Sequence, residues 1–140
     1  LTAIWTGVLG YNIDLAVAYA KQRQQFGQPI IRYAQIREKI ALMKMDYDIA
    51  KLLMAKSCWL KDNNIPGAME STEYKVFIGQ ANMRSAADAI QIFGGYGLLK
   101  ECKIERSLRD AKLAQIGAGS EQMLLEVITR MVSGTRSLTI

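Results

Sequence analysis

Apolar residues recur every three or four positions through most of this chain, the period of an α-helix buried on one face. A first helix is predicted from about Thr2 to Gln24, with Ile4, Val8, Tyr11, Leu15, Ala18 and Tyr19 as its stripe. Gly7 and Gly10 lie inside it. Each costs about 1 kcal/mol relative to alanine unless close packing offsets the loss. Phe26-Gly27-Gln28-Pro29 ends the helix, with glycine just past its end and proline beyond. A second helix, from about Tyr33 to Lys61, carries Ile36, Ile40, Met43, Tyr47, Ala50, Met54 and Ser57. It spans roughly 40 Å. Asp62-Asn63-Asn64 stops it, and Pro66 opens a third helix at a favoured first-turn position. That helix places Met69, Val76, Met83 and Ile90 on one side and ends near Phe93. A short charged helix is expected from about Glu101 to Leu108, then a crossing loop over Ala111 to Gly119. Ser120 is placed to cap the last helix, which uses Met123, Leu124, Val127, Ile128 and Met131 and ends at Ser133-Gly134. The expected fold is all-α: an up-and-down four-helix bundle over residues 1–134, with a loose tail at 135–140.

Composition agrees with helix and narrows the chemistry. The 140 residues suffice for one domain with a core. Only two are proline, and valine, threonine and phenylalanine are too sparse for a large sheet. No apolar run reaches the length of a membrane span, and no signal peptide precedes the first helix. The absent initiator methionine and the abrupt start suggest a piece of a longer chain. With no histidine, and with Cys58 and Cys102 far apart, zinc sites and histidine triads have no support. Two lone cysteines fit a reducing compartment. The net charge of +5 comes from 18 basic residues interspersed with 13 acidic ones. That pattern reads as solvated helix faces with a few cations kept for an anionic ligand, and not as a nucleic-acid patch.

Two stretches carry candidate chemistry. In Gln91-Ile92-Phe93-Gly94-Gly95-Tyr96-Gly97 three glycines allow a backbone to approach a flat or phosphorylated group, with the Gln91 amide beside it. The same glycines also suit a helix C-cap and a tight turn. In Arg23-Gln24-Gln25-Phe26-Gly27 the guanidinium offers a permanent, bidentate cation for a pyrophosphate. Alone, Arg23 would equally suit a helix C-terminus.

Together these residues resemble the acyl-CoA dehydrogenases, flavoproteins that desaturate acyl-CoA thioesters. The first motif looks like that family's Arg-x-x-Phe-Gly. The second continues in type and spacing through Gly94, Gly95, Gly97, Leu98, Glu101, Arg106 and Asp110. The run Arg109-Asp110-Ala111-Lys112-Leu113, leading to Ile116-Gly117-Ala118-Gly119-Ser120, is similar as well. The resemblance covers nearly the whole chain and corresponds to the family's C-terminal helical domain. It implies two further domains, one helical and one β, and an extended FAD at a subunit interface. One subunit holds most of the flavin. Arg23, Phe26, Gln91, Gly94, Gly95 and Gly97 then match residues that reach the pyrophosphate and adenosine portion of the neighbour's FAD. Ser120 and Gln122 align with FAD-touching positions at the last helix's N-terminus, a place that favours anions. Glu101, Arg106, Arg109 and Asp110 read as a structural ion network. The resemblance further implies a homotetramer, an electron-transferring flavoprotein as redox partner, and a bacterial or archaeal cytoplasm or, alternatively, a mitochondrial matrix.

The family's reaction removes a proton from the α-carbon and passes hydride from the β-carbon to the flavin, which requires a carboxylate base. In many members that glutamate sits in a Tyr-Glu-Gly-Thr segment. Here the matching residues are Gly117-Ala118-Gly119-Ser120, and Ala118 cannot accept a proton. Glu121 follows closely but in the helical register points elsewhere. In members resembling isovaleryl-CoA and long-chain dehydrogenases the glutamate lies on the first helix of this domain. Aligned on Arg23, that position falls a few residues before Leu1. The chain alone is therefore expected neither to turn over substrate nor to bind FAD tightly. The alternative is a homologue without dehydrogenase activity that serves as a helical oligomerisation module. Tyr33-Ala34-Gln35 shifts by one place a glutamine that the family uses toward FAD, so that contact is not carried over.

Overall fold

The computed structural model describes residues 2–134. Five helices follow one another: α1 Thr2–Gln22, α2 Ala34–Asp62, α3 Ala68–Phe93, α4 Ile104–Ile116 and α5 Glu121–Ser133. A small antiparallel ribbon, β1 Gln24–Gln25 with β2 Gln28–Pro29, separates α1 from α2. Single 3-10 turns span Ile30–Arg32, Gly94–Leu98 and Lys100–Cys102. The expected tail at 135–140 lies outside the described residues.

Helix α3 is the axis. It packs against each of the other four helices. Tyr74, Lys75 and Val76 are consecutive and all buried, as are Ile78 and Gly79, and Ala81 and Asn82. Consecutive buried residues mean burial on every side, which one apolar stripe cannot announce. Of the stripe expected here, Val76 is buried, while Met69, Met83 and Ile90 are only half-buried. Cross-helix pairs fix the directions. Thr6 meets Tyr74 and Tyr19 meets Phe93, so α1 runs parallel to α3. Lys39 meets Asp88, Asp46 meets Arg84 and Lys56 meets Glu70, so α2 runs antiparallel. Helix α4 returns along α3, its start packed near Ile92 and its end at Gly79.

The stripe expected on α1 is turned a little from the face that is buried. Ile4, Tyr11 and Ala18 are exposed, and Val8, Leu15 and Tyr19 are half-buried. The buried face is Thr6, Leu9, Asn12, Ala16 and Ala20, one residue round the helix. Small residues there let the α1 and α3 backbones come close. Of the larger apolar side chains Leu9 is buried and Trp5, Ile13, Leu15 and Tyr19 pack against the core, which leaves Ile4 and Tyr11 outward, available to other protein. Helix α2 follows its expected stripe, with Met43 and Ala50 buried.

Three boundaries differ from expectation. Pro66 does not enter α3; Gly67 takes the N-cap, tucked against Leu60, and the helix begins at Ala68. The short charged helix is broken at Lys103, which adopts a left-handed φ of 49°, so α4 starts only at Ile104. The long crossing loop does not form. Helix α4 continues to Ile116 because Ala111 and Ala114 are buried against α3, and only residues 117–120 turn. Ser120 caps α5 as expected, its Oγ accepting from the Met123 amide.

The core has two clusters. One gathers around Ala16, Ala20, Met43, Ala89 and Ile92, the other around Leu9, Ala50, Tyr74 and Ile78. In the second, Thr6 Oγ1 and Tyr74 Oη lie 2.6 Å apart and share a buried hydrogen bond. Burial raises the Tyr74 phenol above its ordinary value of 10.0, with the Thr6 bond acting against that. The raised value means the folded state keeps its proton longer than the unfolded chain does. The stabilisation is therefore complete below pH 10.0 and is lost as pH rises through the folded value. Tyr74→Phe leaves the Thr6 hydroxyl buried without a partner and is expected to cost about 1–2 kcal/mol at neutral pH. Above the ordinary tyrosine range the gap between the two proteins narrows. Urea titrations at neutral and alkaline pH measure both effects.

Candidate functional site

Because α1 and α3 run parallel, their C-terminal ends lie side by side. Tyr19 stacks on Phe93 with ring centroids 4.1 Å apart and planes inclined by 13°. The Tyr19 hydroxyl also donates to the Phe93 carbonyl. Arg23 follows one turn after Tyr19, and its amide donates to the Tyr19 carbonyl at 2.8 Å. Its own carbonyl accepts from the Ile30 amide at 2.9 Å. The guanidinium is thereby brought to the glycine turn, 5.6 Å from the centre of the Tyr96 ring. Arg23 and Gly94–Gly95 line one open hollow of about 440 Å³, with Tyr19, Ile92 and Phe93 behind them. Among the described residues no carboxylate pairs with Arg23. Both helices end here, so their dipoles offer nothing to an anion, and Arg23 is the cation that could hold one.

The glycines of the turn have different physical roles. Gly97 is buried, and a Cβ there would sit 2.9 Å from the Ile90 carbonyl oxygen, so packing requires it. Gly94 has a φ of 61°, which glycine adopts without strain. Gly95 is required by neither: a Cβ would meet nothing within 4 Å. The absence of a side chain at 95 keeps the hollow open. Gln91 is exposed on the last turn of α3, its carbonyl accepting from the Gly94 amide, but it does not line the hollow.

The ribbon is a ridge between two hollows. At its tip Phe26 is 93% exposed with a φ of 49°, beside Gly27. Its ring meets Tyr33 edge-on at 6.5 Å, and the Tyr33 hydroxyl donates to the Gln25 carbonyl at 2.8 Å. A large aromatic held so exposed on an unfavourable backbone suits contact with something outside this chain. Phe26, Tyr33 and Gln35 line an apolar depression of about 270 Å³ that shares Gln25 and Ile30 with the first hollow.

Ser120 and Gln122 are elsewhere. The α5 start is tied to α3 at Gln80, whose Nε2 donates to Glu121 at 2.7 Å. Gln80 lies about 20 Å along α3 from the glycine turn, so these two residues form a second, separate place. Ala118 sits exposed between them and α4, with a φ of 55°. Glu121 does not replace it as a base, since its two oxygens accept from Gln80 and Gln115. Arg106 pairs with Asp110 and Arg109 with Glu105 along α4, whereas Glu101 joins neither pair. Tyr19, Tyr96 and Gln35 line these hollows without having been singled out as ligand contacts from sequence. Tyr19 was hidden inside an apolar stripe, and Tyr96 between glycines. Among the described residues no acidic or cysteine cluster could hold a metal, and no helix is long and apolar enough to cross a membrane.

Known proteins are similar to this chain in sequence and in fold. The family profile described as "Acyl-CoA dehydrogenase, C-terminal domain" matches residues 1–133. A "Probable acyl-CoA dehydrogenase" of Bacillus subtilis is 42% identical over 132 residues, covering 94% of this chain and 35% of that protein. Butyryl-CoA dehydrogenase from Megasphaera elsdenii superposes with a TM-score of 0.92 at 34% identity, over 94% of this chain and 34% of that one. A structure titled "FAD complex of PigA" superposes equally well, at 0.92, with 28% identity over 95% of this chain and 35% of that one. The chain thus spans about a third of the length of the relatives it matches.

Proposed function

The chain belongs to the acyl-CoA dehydrogenase family as its C-terminal domain, and we propose that it serves a flavin-dependent enzyme that introduces the α,β double bond of an acyl-CoA thioester. One observation carries this reading: a guanidinium that pairs with no carboxylate among the described residues shares one open hollow with Gly94 and Gly95. That donor set fits FAD. Arg23 would hold the diphosphate, and Gly94 and Gly95 would let the backbone approach it. Phe26 would offer a flat face to the adenosine portion, and Gln91 an amide at the rim. Ser120 and Gln122, about 20 Å away, would touch a second FAD copy, so one protomer serves two cofactors. When bound, the flavin supplies the acceptor for the two electrons removed from the substrate.

The residues here bind and orient; none moves the substrate proton. Ala118 leaves the usual base position without a carboxylate, so the base is assigned to a glutamate upstream of Leu1. The outward apolar residues Ile4, Met123 and Val132 support burial against other protein, in a homotetramer with further domains. An electron-transferring flavoprotein would reoxidise the enzyme in a bacterial or archaeal cytoplasm. The second reading, an oligomerisation module without dehydrogenase activity, is favoured only by Ala118.

The isolated chain is expected to stay helical and to bind FAD no tighter than millimolar, because the flavin's main shelf is missing. The whole gene product is expected to be yellow and to bleach when an acyl-CoA is added. A fluorescence titration and an anaerobic bleaching assay test both statements. Micromolar FAD binding by residues 1–140 alone would contradict the division of labour, and a colourless whole protein would favour the oligomerisation reading.

A further inference from the structure

We propose that Lys75 is a positioning residue that, with Gln80, sets the turn between α4 and α5 and hence the place of Ser120 and Gln122; this rests on the flavin reading above. Lys75 is only 8% exposed, in the middle of α3, an uncommon state for lysine. Its Nζ donates to the carbonyl of Ala114. That carbonyl belongs to the last turn of α4, whose oxygens lack partners within the helix. A cation there also answers the negative end of the α4 dipole. One turn along α3, Gly79 lets α4 come close: a Cβ would lie 3.3 Å from the same Ala114 oxygen. Beside it, Gln80 Nε2 donates to Glu121 at 2.7 Å, and Gln115 Nε2 donates to the other Glu121 oxygen at 3.2 Å. Helix α3 therefore grips the chain just before the turn and just after it.

Besides the Gly117 amide on the Leu113 carbonyl and the Ser120 cap on Met123, the turn itself carries an unfavourable backbone. Ala118 has a φ of 55° and Gly119 a φ of 104°, and α5 contributes no buried residue. Such a backbone persists only when its surroundings impose it. Burial pushes the Lys75 ammonium below its ordinary value, with the Glu121 charge acting against that. An apolar side chain would satisfy the packing with less desolvation. Retaining an ammonium makes sense if its job is to hold the α4 carbonyl in one place.

The test uses Lys75→Met and Gln80→Leu, in this chain and in the whole gene product. In the chain alone, amide hydrogen exchange over residues 117–123 is expected to accelerate while the far-UV helix signal stays. In the whole protein, Lys75→Met is expected to raise the FAD dissociation constant about tenfold, because a displaced Ser120 loses one hydrogen bond to a charged group of that FAD. Gln80→Leu should raise it about threefold, since Gln115 still serves Glu121. Both should shift the visible absorption bands of the bound flavin, which a purely structural role would leave alone. Should Lys75→Met not fold, Gln80→Leu decides. Folded variants with unchanged exchange, affinity and flavin spectrum overturn the proposal. A wild-type whole protein that binds no FAD overturns the flavin reading and this proposal with it.

Discussion

Gly97→Ala is expected to destabilise the domain by about 2–3 kcal/mol, while Gly95→Ala, two residues away, changes stability by less than about 0.5 kcal/mol. The added methyl at 97 would meet the Ile90 oxygen at 2.9 Å, Phe93 Cβ at 3.0 Å and Ile90 Cα at 3.1 Å. Two of these are backbone atoms of α3, so relief requires the turn to move away from the helix it caps. At 95 the methyl meets nothing within 4 Å. It stands in open space on a residue that lines the hollow assigned to the diphosphate. In the whole protein Gly95→Ala should therefore weaken FAD binding without a change in urea midpoint, and Gly97→Ala should lower the midpoint itself. Gly94→Ala should also destabilise, by about 1–3 kcal/mol, since a φ of 61° with a ψ of −144° is a backbone region nearly confined to glycine. Lowered urea midpoints at 97 and 94 with an unchanged one at 95 are the result to look for. An equal loss at 95 and 97 would mean that the turn is ordered by something other than these contacts.

The same three glycines mark how far sequence alone could go. Their spacing marked a turn, but which glycine is packed and which is open depends on distances to Ile90 and Phe93. Helix α2 was legible because it buries one face and exposes the other. Helix α1 was legible as a helix but not in its buried face, because apolar side chains occupy both faces and, Leu9 apart, the buried one is made of Thr6, Asn12, Ala16 and Ala20. A pattern of apolarity then follows the larger side chains, of which Ile4 and Tyr11 point outward here. The end of α4 was missed for a related reason. Ala111, Ala114 and Gly117 carry no strong periodic signal, yet small size is what lets that segment lie against Gly79. The ligand hollow itself needed one topological fact, the parallel course of α1 and α3. Without it, Arg23 and Gly95 are two motifs separated by some seventy residues. Ser120 and Gln122 show the converse, since the one contiguous look of a signature running from Gln91 to Gln122 conceals two places far apart on α3.

Arg23→Ala is expected to weaken FAD binding by the whole protein about a hundredfold, with little change in stability. The stability half follows from the surroundings. Arg23 is half-buried and pairs with no carboxylate among the described residues; its recorded side-chain neighbour is the Tyr96 ring at 5.6 Å. Losing such a contact at a partly exposed site costs about 0.5–1 kcal/mol. The binding half follows from the ligand's chemistry. A diphosphate takes two parallel bonds from one guanidinium, each a charge-assisted bond worth about 1.5–3 kcal/mol. Losing even the smaller value twice corresponds to about two powers of ten in affinity. Arg23→Lys separates charge from shape. It keeps the cation but not the planar fork, so the loss should fall to about tenfold. The charge also predicts a salt dependence: raising ionic strength should weaken binding in the wild type and in Arg23→Lys, and much less in Arg23→Ala. Equilibrium dialysis with FAD at two salt concentrations reads all three variants. If Arg23→Ala binds FAD as tightly as the wild type, the hollow holds no diphosphate.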